Sequence, residues 1–207
     1  MKAVVFSCDK YLWLIPTFLH FYERNWPDNP YQTEFVTETK KLDGITTFCA
    51  GKLPWADRMI EYLNSYNEEI FLLLAEDYII EKKVDTNRVK MAASLCKDNI
   101  GCVRLNAHDE WSRFLFDTEI KGFKEYPLNK HYSVSLQTSV WQKEFLLEFL
   151  QKGETVWQTE TEGSKRIQKS NKKIIWTDTP ILNYKPGGYM KKGEVSLATS
   201  KWVKENW

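Results

Sequence analysis

The chain lacks the cysteine spacing of a zinc site or a disulfide framework. Its four cysteines are Cys8, Cys49, Cys96 and Cys102, and no two of them form a C-x-x-C pair. Each lies within an apolar segment, where a free cysteine acts as a small hydrophobic residue. We therefore expect buried thiols in a reducing compartment, with neither a structural zinc nor a disulfide.

Long apolar runs, a signal peptide and a dominant charge are also missing. No stretch approaches the roughly 18 apolar residues of a membrane span, and the first residues lack the basic, apolar and small-residue succession of a secretory signal. The formal net charge is +1, and the basic stretch at 165–173 is typical of a solvated loop. We expect a cytoplasmic protein with no membrane span and no nucleic-acid partner.

What is present is enough apolar material for one core. The chain has 207 residues, is 43% hydrophobic and contains nine Trp, ten Tyr and eleven Phe, and its length favours a single domain. Strands are predicted at 3–8, 34–37, 46–50, 70–75 and 100–105, and helices at 11–22, 55–66 and 89–96. This alternation is typical of an α/β protein with a Rossmann-like, mostly parallel central sheet flanked by helices.

The second half of the chain has a less regular pattern. A helix is predicted from Ser139, because Ser139 and Gln142 have the spacing of a capping box. The tail from Gly153 onwards is rich in Gly, Thr and Lys, and 186–193 is predicted to be a polar loop. Such a loop in a compact domain is more often functional than idle.

The strongest functional signal is the acid pair Glu76-Asp77, which directly follows the apolar strand 70–75. Sheets of α/β proteins bind ligands at the carboxyl ends of their strands. Two carboxylates there can hold a hard divalent cation, which would neutralise a diphosphate. The alternative is that the acids mark only the point where a buried strand reaches water.

Five motifs in one order resemble those of a family of small GT-A-type glycosyltransferases. They are Ser7–Tyr11, Trp55–Arg58, Leu72–Tyr78, Ser135–Trp141 and Trp157–Glu160. The likeness is strongest to the amino-terminal glycosyltransferase domain of a chlorovirus-encoded multidomain protein. It implies a single GT-A-like domain over 1–207, with a nucleotide-sugar-binding part at roughly 1–107 and an acceptor-side part at roughly 108–207.

The resemblance implies that Asp77 binds manganese or magnesium on the diphosphate of a UDP-sugar, with Glu76 nearer the ribose or the water shell of the ion. The chain departs from the family's DxD motif, because Tyr78 stands where a second aspartate is usual. We therefore expect low affinity for the free ion. Many relatives also place a late histidine on the metal, and this chain has no histidine after His131.

The resemblance also assigns residues to the nucleotide. The implied nucleoside pocket is lined by Ser7, Cys8, Asp9, Tyr11, Thr37 and Glu38. Arg58 is implied to pair with a phosphate or a carboxylate, and a surface ion pair with Asp57 or Glu61 is the open alternative. Lys191 and Lys192, in the tail loop, are implied to fold over the diphosphate.

For the catalytic base the resemblance favours Glu160, which matches the glutamate of a Trp-x-x-Glu turn. Trp157 beside it would partly desolvate the carboxylate and raise its pKa. Glu162 and Asp109 are rival candidates, and an exposed acid without a catalytic role is the alternative for Glu160.

The function implied is that of a metal-dependent, inverting glycosyltransferase, which moves glucose or rhamnose from a UDP-sugar to a glycan or glycoprotein acceptor. The implied role is viral capsid glycan synthesis. Further domains of a longer chain are implied as partners. Two alternatives stay open: a nucleotidyltransferase acting on sugar phosphates, and a non-catalytic sugar-binding module. A nucleotidyltransferase usually has a glycine-rich, basic loop after its first strand, and Ser7–Tyr11 contains no glycine.

Overall fold

A mixed nine-stranded sheet forms the centre of the protein. The computed structural model describes residues 1–106, 113–184, 188–191 and 193–207. The strands are β1 Ala3–Phe6, β2 Thr33–Thr37, β3 Thr47–Cys49, β4 Ile70–Ala75, β5 Ile100–Arg104, β6 Phe116–Asp117, β7 Phe123–Tyr126, β8 Ser139–Gln142 and β9 Lys173–Thr177. Their order across the sheet is β3-β2-β1-β4-β8-β5-β9-β7-β6. A separate hairpin pairs β10 Met190–Lys191 with β11 Glu194–Val195.

Helices cover both faces of this sheet. They are α1 Ile15–Asn25, α2 Trp55–Ser65, α3 Thr86–Leu95, α4 Lys143–Phe149, α5 Val156–Arg166 and α6 Leu197–Asn206, with 3-10 helices at Asp9–Leu14 and Ile167–Lys169. Side chains alternate along the central strands, so Val5 lies in one apolar cluster and its neighbour Val4 in the other. The predicted α/β class, with a mostly parallel sheet flanked by helices, is confirmed.

The pairing directions explain where strand ends meet. β1, β2, β3 and β4 are mutually parallel, as are β5 and β9. β8 runs antiparallel between β4 and β5. The carboxyl ends of β1, β2, β4 and β5 and the amino end of β8 therefore meet at one edge of the sheet. This edge is where an α/β sheet binds its ligands.

In the helix predicted at 11–22, Pro16 indicates either a late start or a kink, and the helix begins late, at Ile15. The chain forms a 3-10 helix from Asp9 to Leu14 and then α1 from Ile15, with the proline in its first turn. Proline is tolerated there because its missing N–H would have no partner within the helix.

The helix predicted from Ser139 is wrong, because Ser139–Gln142 is strand β8 and α4 begins only at Lys143. Strands β4 and β5 pair with this segment on both sides and provide partners for its backbone N–H and C=O groups. This pairing overrides the helix signal of the capping-box spacing. Trp141, in the middle of the strand, is 0% exposed and packs against Phe145 and Phe149. Burial of this ring outweighs a local helix signal.

The tail is more regular than its composition predicts. It contains α5, the sheet strand β9 and α6. The Trp157-x-x-Glu160 segment forms the first turns of α5 rather than an isolated turn, and Thr155 caps this helix through a capping box with Gln158. Across the described residues, none of the helices has the length and apolar character needed to cross a membrane.

Candidate active site

A cavity of about 760 Å³ opens at the edge where the strand ends meet. Nine of the residues predicted for the site line it, namely Ser7, Cys8, Tyr11, Glu38, Arg58, Glu76, Asp77, Glu160 and Lys191. Of the other predicted residues that the structure describes, Asp9, Thr37 and Glu162 are not among those that line it. Asp109 and Lys192 lie outside the described residues.

The acid pair Glu76-Asp77 follows β4 directly, and the pKa values of both carboxyl groups are raised in the folded protein. Glu76 is 6% exposed. Burial, followed by repulsion from Asp77, raises its pKa to about 8, although the Ser7 hydroxyl donates a hydrogen bond to it. Burial also raises the pKa of Asp77 to about 6, against the lowering effect of the Met190 N–H that it accepts. A bound cation would relieve this unfavourable pair of charges.

The hairpin end of the tail packs directly on Asp77. The Tyr189 N–H donates to the Asp77 carbonyl at 2.7 Å. Gly188 has φ +71°, and a Cβ added there would lie 2.5 Å from Asp77 Oδ2. Only glycine permits this close approach with a left-handed backbone. The tail segment therefore shapes the wall of the cavity beside the acid pair.

Arg58 is a buried cation and not a surface one. It lies in the first turns of α2, is 6% exposed and donates to the Ser7 carbonyl. Its guanidinium lies over the Phe6 ring, 5.5 Å from the centroid, and its charge lowers the pKa of Glu76. The alternative, a surface ion pair with Asp57 or Glu61, is wrong. Arg58 is buried, and neither pair is formed in the part of the chain that the structure describes. Its Nε is buried and has no hydrogen-bond partner among the described residues.

Asp9 and Glu38 join the loops that follow β1 and β2. Burial is the largest single effect on the pKa of Asp9 and raises it. The hydrogen bonds that its carboxylate accepts from the Thr39 N–H, the Thr39 hydroxyl and the Lys40 N–H together outweigh burial, so the pKa is lowered overall. The Asp9 N–H in turn donates to Glu38 Oε2 at 2.9 Å. Thr37 is fully buried and its hydroxyl donates to the Lys40 carbonyl. Asp9 and Thr37 thus shape the pocket from behind its wall.

Glu160 reaches the cavity from α5. Its Oε1 accepts the Leu136 N–H at 2.8 Å, and its carboxylate also accepts a hydrogen bond from Ser135. Burial raises its pKa, and the nearby Arg104 charge opposes that shift. Trp157, one turn earlier on the same helix, is 64% exposed and also lines the cavity. The predicted rise in pKa therefore comes from the burial of Glu160 itself more than from shielding by Trp157.

Glu162 belongs to the outer side of α5. Its carboxylate pairs with Lys165 at 2.7 Å, one turn along the helix. This placement makes it the weaker rival to Glu160. Lys191, in β10, has an exposed side chain at the cavity rim.

Sequence reasoning missed the polar residues at the end of β5 and the start of β8. Arg104 is 3% exposed and lines the cavity. Asn106 donates to Gln137 and to the Tyr184 hydroxyl, and Tyr184 stacks on Tyr78 with ring centroids 4.3 Å apart. Arg104 could have been found by the signal that identified Glu76-Asp77, since it is a charged residue at the end of an apolar strand.

The carboxylates of Asp77 and Glu76 suit a cation whose remaining ligands come from the nucleotide and from water. Among the described residues, no three His, Cys, Asp or Glu side chains are grouped to hold a metal ion. Asp77, with Glu76 beside it, offers carboxylate oxygens of the kind that Mn²⁺ and Mg²⁺ accept, and phosphate oxygens and water would complete six-coordination.

No protein-family model matches the chain, and no curated protein is similar to it in sequence. Solved structures are similar in fold. A CMP:2-keto-3-deoxy-manno-octonic acid synthetase complexed with CTP has a TM-score of 0.62 at 13% identity, over 100% of this chain and 98% of that one. A mannosyltransferase from Pyrobaculum calidifontis in complex with GDP-Man and Mn²⁺ has a TM-score of 0.59 at 14% identity, over 93% of this chain and 57% of that one.

A third similar structure is glucosyl-3-phosphoglycerate synthase from Mycobacterium tuberculosis in complex with Mn²⁺ and UDP-glucose. Its TM-score is 0.52 at 9% identity, over 99% of this chain and 74% of that one. None of these three points to a chlorovirus protein. At such identities the likeness concerns the fold, which is that of GT-A-like nucleotidyl- and glycosyltransferases.

Proposed function

We propose that this protein is a metal-dependent, inverting glycosyltransferase that moves a sugar from a UDP-sugar to a glycan acceptor. The observation that carries the proposal is that one cavity holds the acid pair, of which Glu76 is buried and Asp77 half-buried, together with the half-buried Glu160. Glu76 and Asp77 come from the proposed donor part at roughly 1–107, and Glu160 comes from the proposed acceptor part at roughly 108–207.

The donor half of the site would bind the nucleoside diphosphate. Asp77 and Glu76 would hold Mn²⁺ or Mg²⁺, which neutralises the diphosphate when bound. Arg58 in the wall and Lys191 at the rim would contribute positive charges near the diphosphate. Ser7, Cys8, Tyr11 and Glu38 would line the nucleoside pocket.

Glu160 would act on the acceptor. Its carboxylate takes the proton of the acceptor hydroxyl while the hydroxyl oxygen forms a bond to the anomeric carbon. The bond from that carbon to the diphosphate oxygen breaks, and UDP leaves with the electron pair. A raised pKa suits a general base that must be ionised near neutral pH and still accept a proton.

The mannosyltransferase and the glucosyl-3-phosphoglycerate synthase contain Mn²⁺ with a nucleotide sugar, which favours the cation and the donor class. The sequence resemblance supports three finer proposals: UDP-glucose or UDP-rhamnose is the donor, the protein acts in viral capsid glycan synthesis, and further domains accompany it. Cys96 and Cys102 are buried as expected, but the expectation is wrong for Cys49, which is exposed, and for Cys8, which is half-buried. A cytoplasmic location rests on the spacing of the cysteines in the sequence.

A nucleotidyltransferase is the second candidate, because the synthetase of that class matches this chain over nearly the full length of both. The two reactions release different products. A glycosyltransferase releases UDP from a UDP-sugar, whereas a nucleotidyltransferase releases pyrophosphate from a nucleoside triphosphate and a sugar substrate. Assays for both products, with panels of nucleotide sugars and of CTP or UTP plus sugar acids or sugar phosphates, separate the two. A sugar-binding module would release neither product.

UDP should stabilise the protein appreciably only together with a divalent cation. Without the cation, the ionised Asp77 carboxylate repels the diphosphate, and Glu76, whose pKa is about 8, adds to the repulsion as it ionises. Ligand at about a hundred times its Kd adds about 2.7 kcal/mol, which raises the Tm by several degrees. The measurement is a melting curve with UDP, with Mn²⁺, with both, and with both plus a chelator. Equal shifts with UDP alone and with UDP plus Mn²⁺ would contradict the bridging cation.

Trp157→Ala should raise the acceptor KM by roughly tenfold, because an exposed indole at the rim of the cavity suits the apolar face of a sugar ring. The UDP affinity and the Tm should change little, since the side chain is 64% exposed. Trp207→Ala is the matched control, because Trp207 is equally exposed at 64% and does not line the cavity. An unchanged acceptor KM in Trp157→Ala would place the acceptor elsewhere.

A further inference from the structure

Arg104 is a buried cation whose bonding is incomplete. It ends β5, is 3% exposed and lies between two rings, 4.9 Å from the Tyr126 centroid and 4.8 Å from the Trp176 centroid. Within the described part of the chain it has no carboxylate at salt-bridge distance, and its Nε has no hydrogen-bond partner. Burying an unpaired guanidinium is costly, so its retention calls for a role beyond packing.

The contacts of Arg104 lead to one chain segment, residues 132–136. Nη2 donates to the Tyr132 carbonyl and to the Ser133 carbonyl, each at 2.7 Å. Tyr132 has φ +56°, a left-handed conformation that is unfavourable for tyrosine. The two hydrogen bonds from one guanidinium therefore hold a bend that the local sequence does not favour.

The same segment holds Glu160. Leu136 donates its N–H to Glu160 Oε1, and Ser135 donates to the same carboxylate. One turn further along α5, the Ser164 hydroxyl accepts the Val134 N–H at 2.9 Å. The segment is thus fixed to β5 on one side through Arg104 and to α5 on the other through Glu160 and Ser164.

The charge of Arg104 also acts on Glu160. The charge lowers the pKa of the carboxyl group against the effect of burial. The other titratable groups around the pair are tyrosines and a cysteine: Tyr78, Tyr126, Tyr184 and Cys102. All four have raised pKa values, with burial as the largest cause, and are neutral at physiological pH. After burial and the hydrogen bond from the Leu136 N–H, the Arg104 charge is therefore the next largest effect on the pKa of Glu160.

We propose that Arg104 is a positioning residue for Glu160: its guanidinium fixes the segment 132–136 that orients the carboxylate, and it places a positive charge in the same wall. The inference rests on the proposed function, in which Glu160 is the base. It predicts that Arg104 affects turnover and the acid side of the pH profile, with no effect on the binding of UDP.

The test compares Arg104→Gln, which removes the charge, with Arg104→Lys, which keeps the charge and loses the two-carbonyl contact. Arg88→Gln is the matched control, because Arg88 ties α3 to Thr177 and Thr179 and does not line the cavity. Three quantities are measured: kcat as a function of pH, the Kd of UDP with Mn²⁺, and the carboxyl ¹³C titration of Glu160. The Glu160 signal is assigned by its loss in Glu160→Gln.

In Arg104→Gln, kcat should fall by roughly tenfold to a hundredfold, a part of what a general base contributes. The midpoint of its acid limb and the Glu160 titration should both move to higher pH, with the Kd of UDP unchanged. Arg104→Lys should lower kcat by roughly threefold to tenfold with little change in the Glu160 titration. Arg88→Gln should leave both midpoints in place.

Two results would overturn the proposal. The first is a Glu160 titration midpoint in Arg104→Gln that equals that of the wild type. The second applies if Arg104→Gln does not fold: it is an Arg104→Lys variant with wild-type kcat and only a lowered Tm. The NMR titration does not depend on turnover. If the Glu160 titration midpoint shifts in Arg104→Gln while Glu160→Gln retains activity, Arg104 is coupled to Glu160 but Glu160 is not the base.

Discussion

Asp77→Asn is expected to abolish cation-dependent turnover while leaving the fold intact. The exchange keeps the shape of the side chain, and the amide oxygen can still accept the Met190 N–H that approaches Asp77. It removes the charge that would hold the divalent ion on the diphosphate, and the amide oxygen is a much weaker ligand. We expect kcat/KM to fall by at least about a hundredfold, with the stabilisation by UDP plus Mn²⁺ lost.

Steady-state assays over a manganese series, together with melting curves, check this result. Asp117→Asn is the matched control, because Asp117 is an exposed aspartate of the edge strand β6 whose ion-pair partner is Lys124. The control should behave as wild type in both measurements. If Asp77→Asn turns over donor at the wild-type rate with the same manganese dependence, Asp77 is not a metal ligand.

The acid pair is a cost to the folded state that a ligand can remove. The pKa of Glu76 is about 8 in the folded protein against an ordinary value of 4.5, so the folded state binds the proton more tightly than the unfolded state does. The stability of the ligand-free protein is therefore greatest below pH 4.5 with respect to this group and declines as the pH rises towards 8. A group kept at such a cost is typical of a functional site.

The parts of the fold that could be predicted from sequence are those whose signals are local. The strand before Glu76 is an unbroken apolar run, and Pro16 marks the late start of α1. Ser139–Gln142 has an equally clear helix signal, and it is a strand because β4 and β5 pair with it from both sides. Lys173–Thr177 lies in a polar stretch and is still a sheet strand, since pairing partners far away in sequence decide its conformation.

The same distinction applies to the site. Glu76 and Asp77 are adjacent in sequence and end a strand, so their common position is visible without a structure. Arg104 is tied to Tyr132 and Ser133 over 28 and 29 residues, and this connection follows only from the folded chain. The partial burial of Glu160 likewise arises from the segment at 135–136, which no pattern around Glu160 indicates.

Glu160→Gln is expected to lower kcat by a hundredfold or more while the Kd of UDP with Mn²⁺ stays close to that of wild type. A general base contributes about 10²–10⁴-fold, and it acts on the acceptor hydroxyl in the transition state and not on the nucleotide. Glutamine keeps an oxygen that can accept the Leu136 N–H, so the local structure should persist. Burial disfavours the charged carboxylate, and its removal should leave the Tm equal or higher at neutral pH.

The pH profile distinguishes a base from a residue that only shapes the pocket. In the wild type, kcat should rise with pH through the pKa of Glu160, which burial places above its ordinary value of 4.5, because only the ionised carboxylate accepts the proton. Glu160→Gln should lose this limb. Glu162→Gln, on the same helix with its carboxylate paired to Lys165, should keep both the limb and the wild-type kcat. The reverse outcome would assign the base to Glu162, whereas a loss of UDP affinity in Glu160→Gln would place Glu160 at the donor.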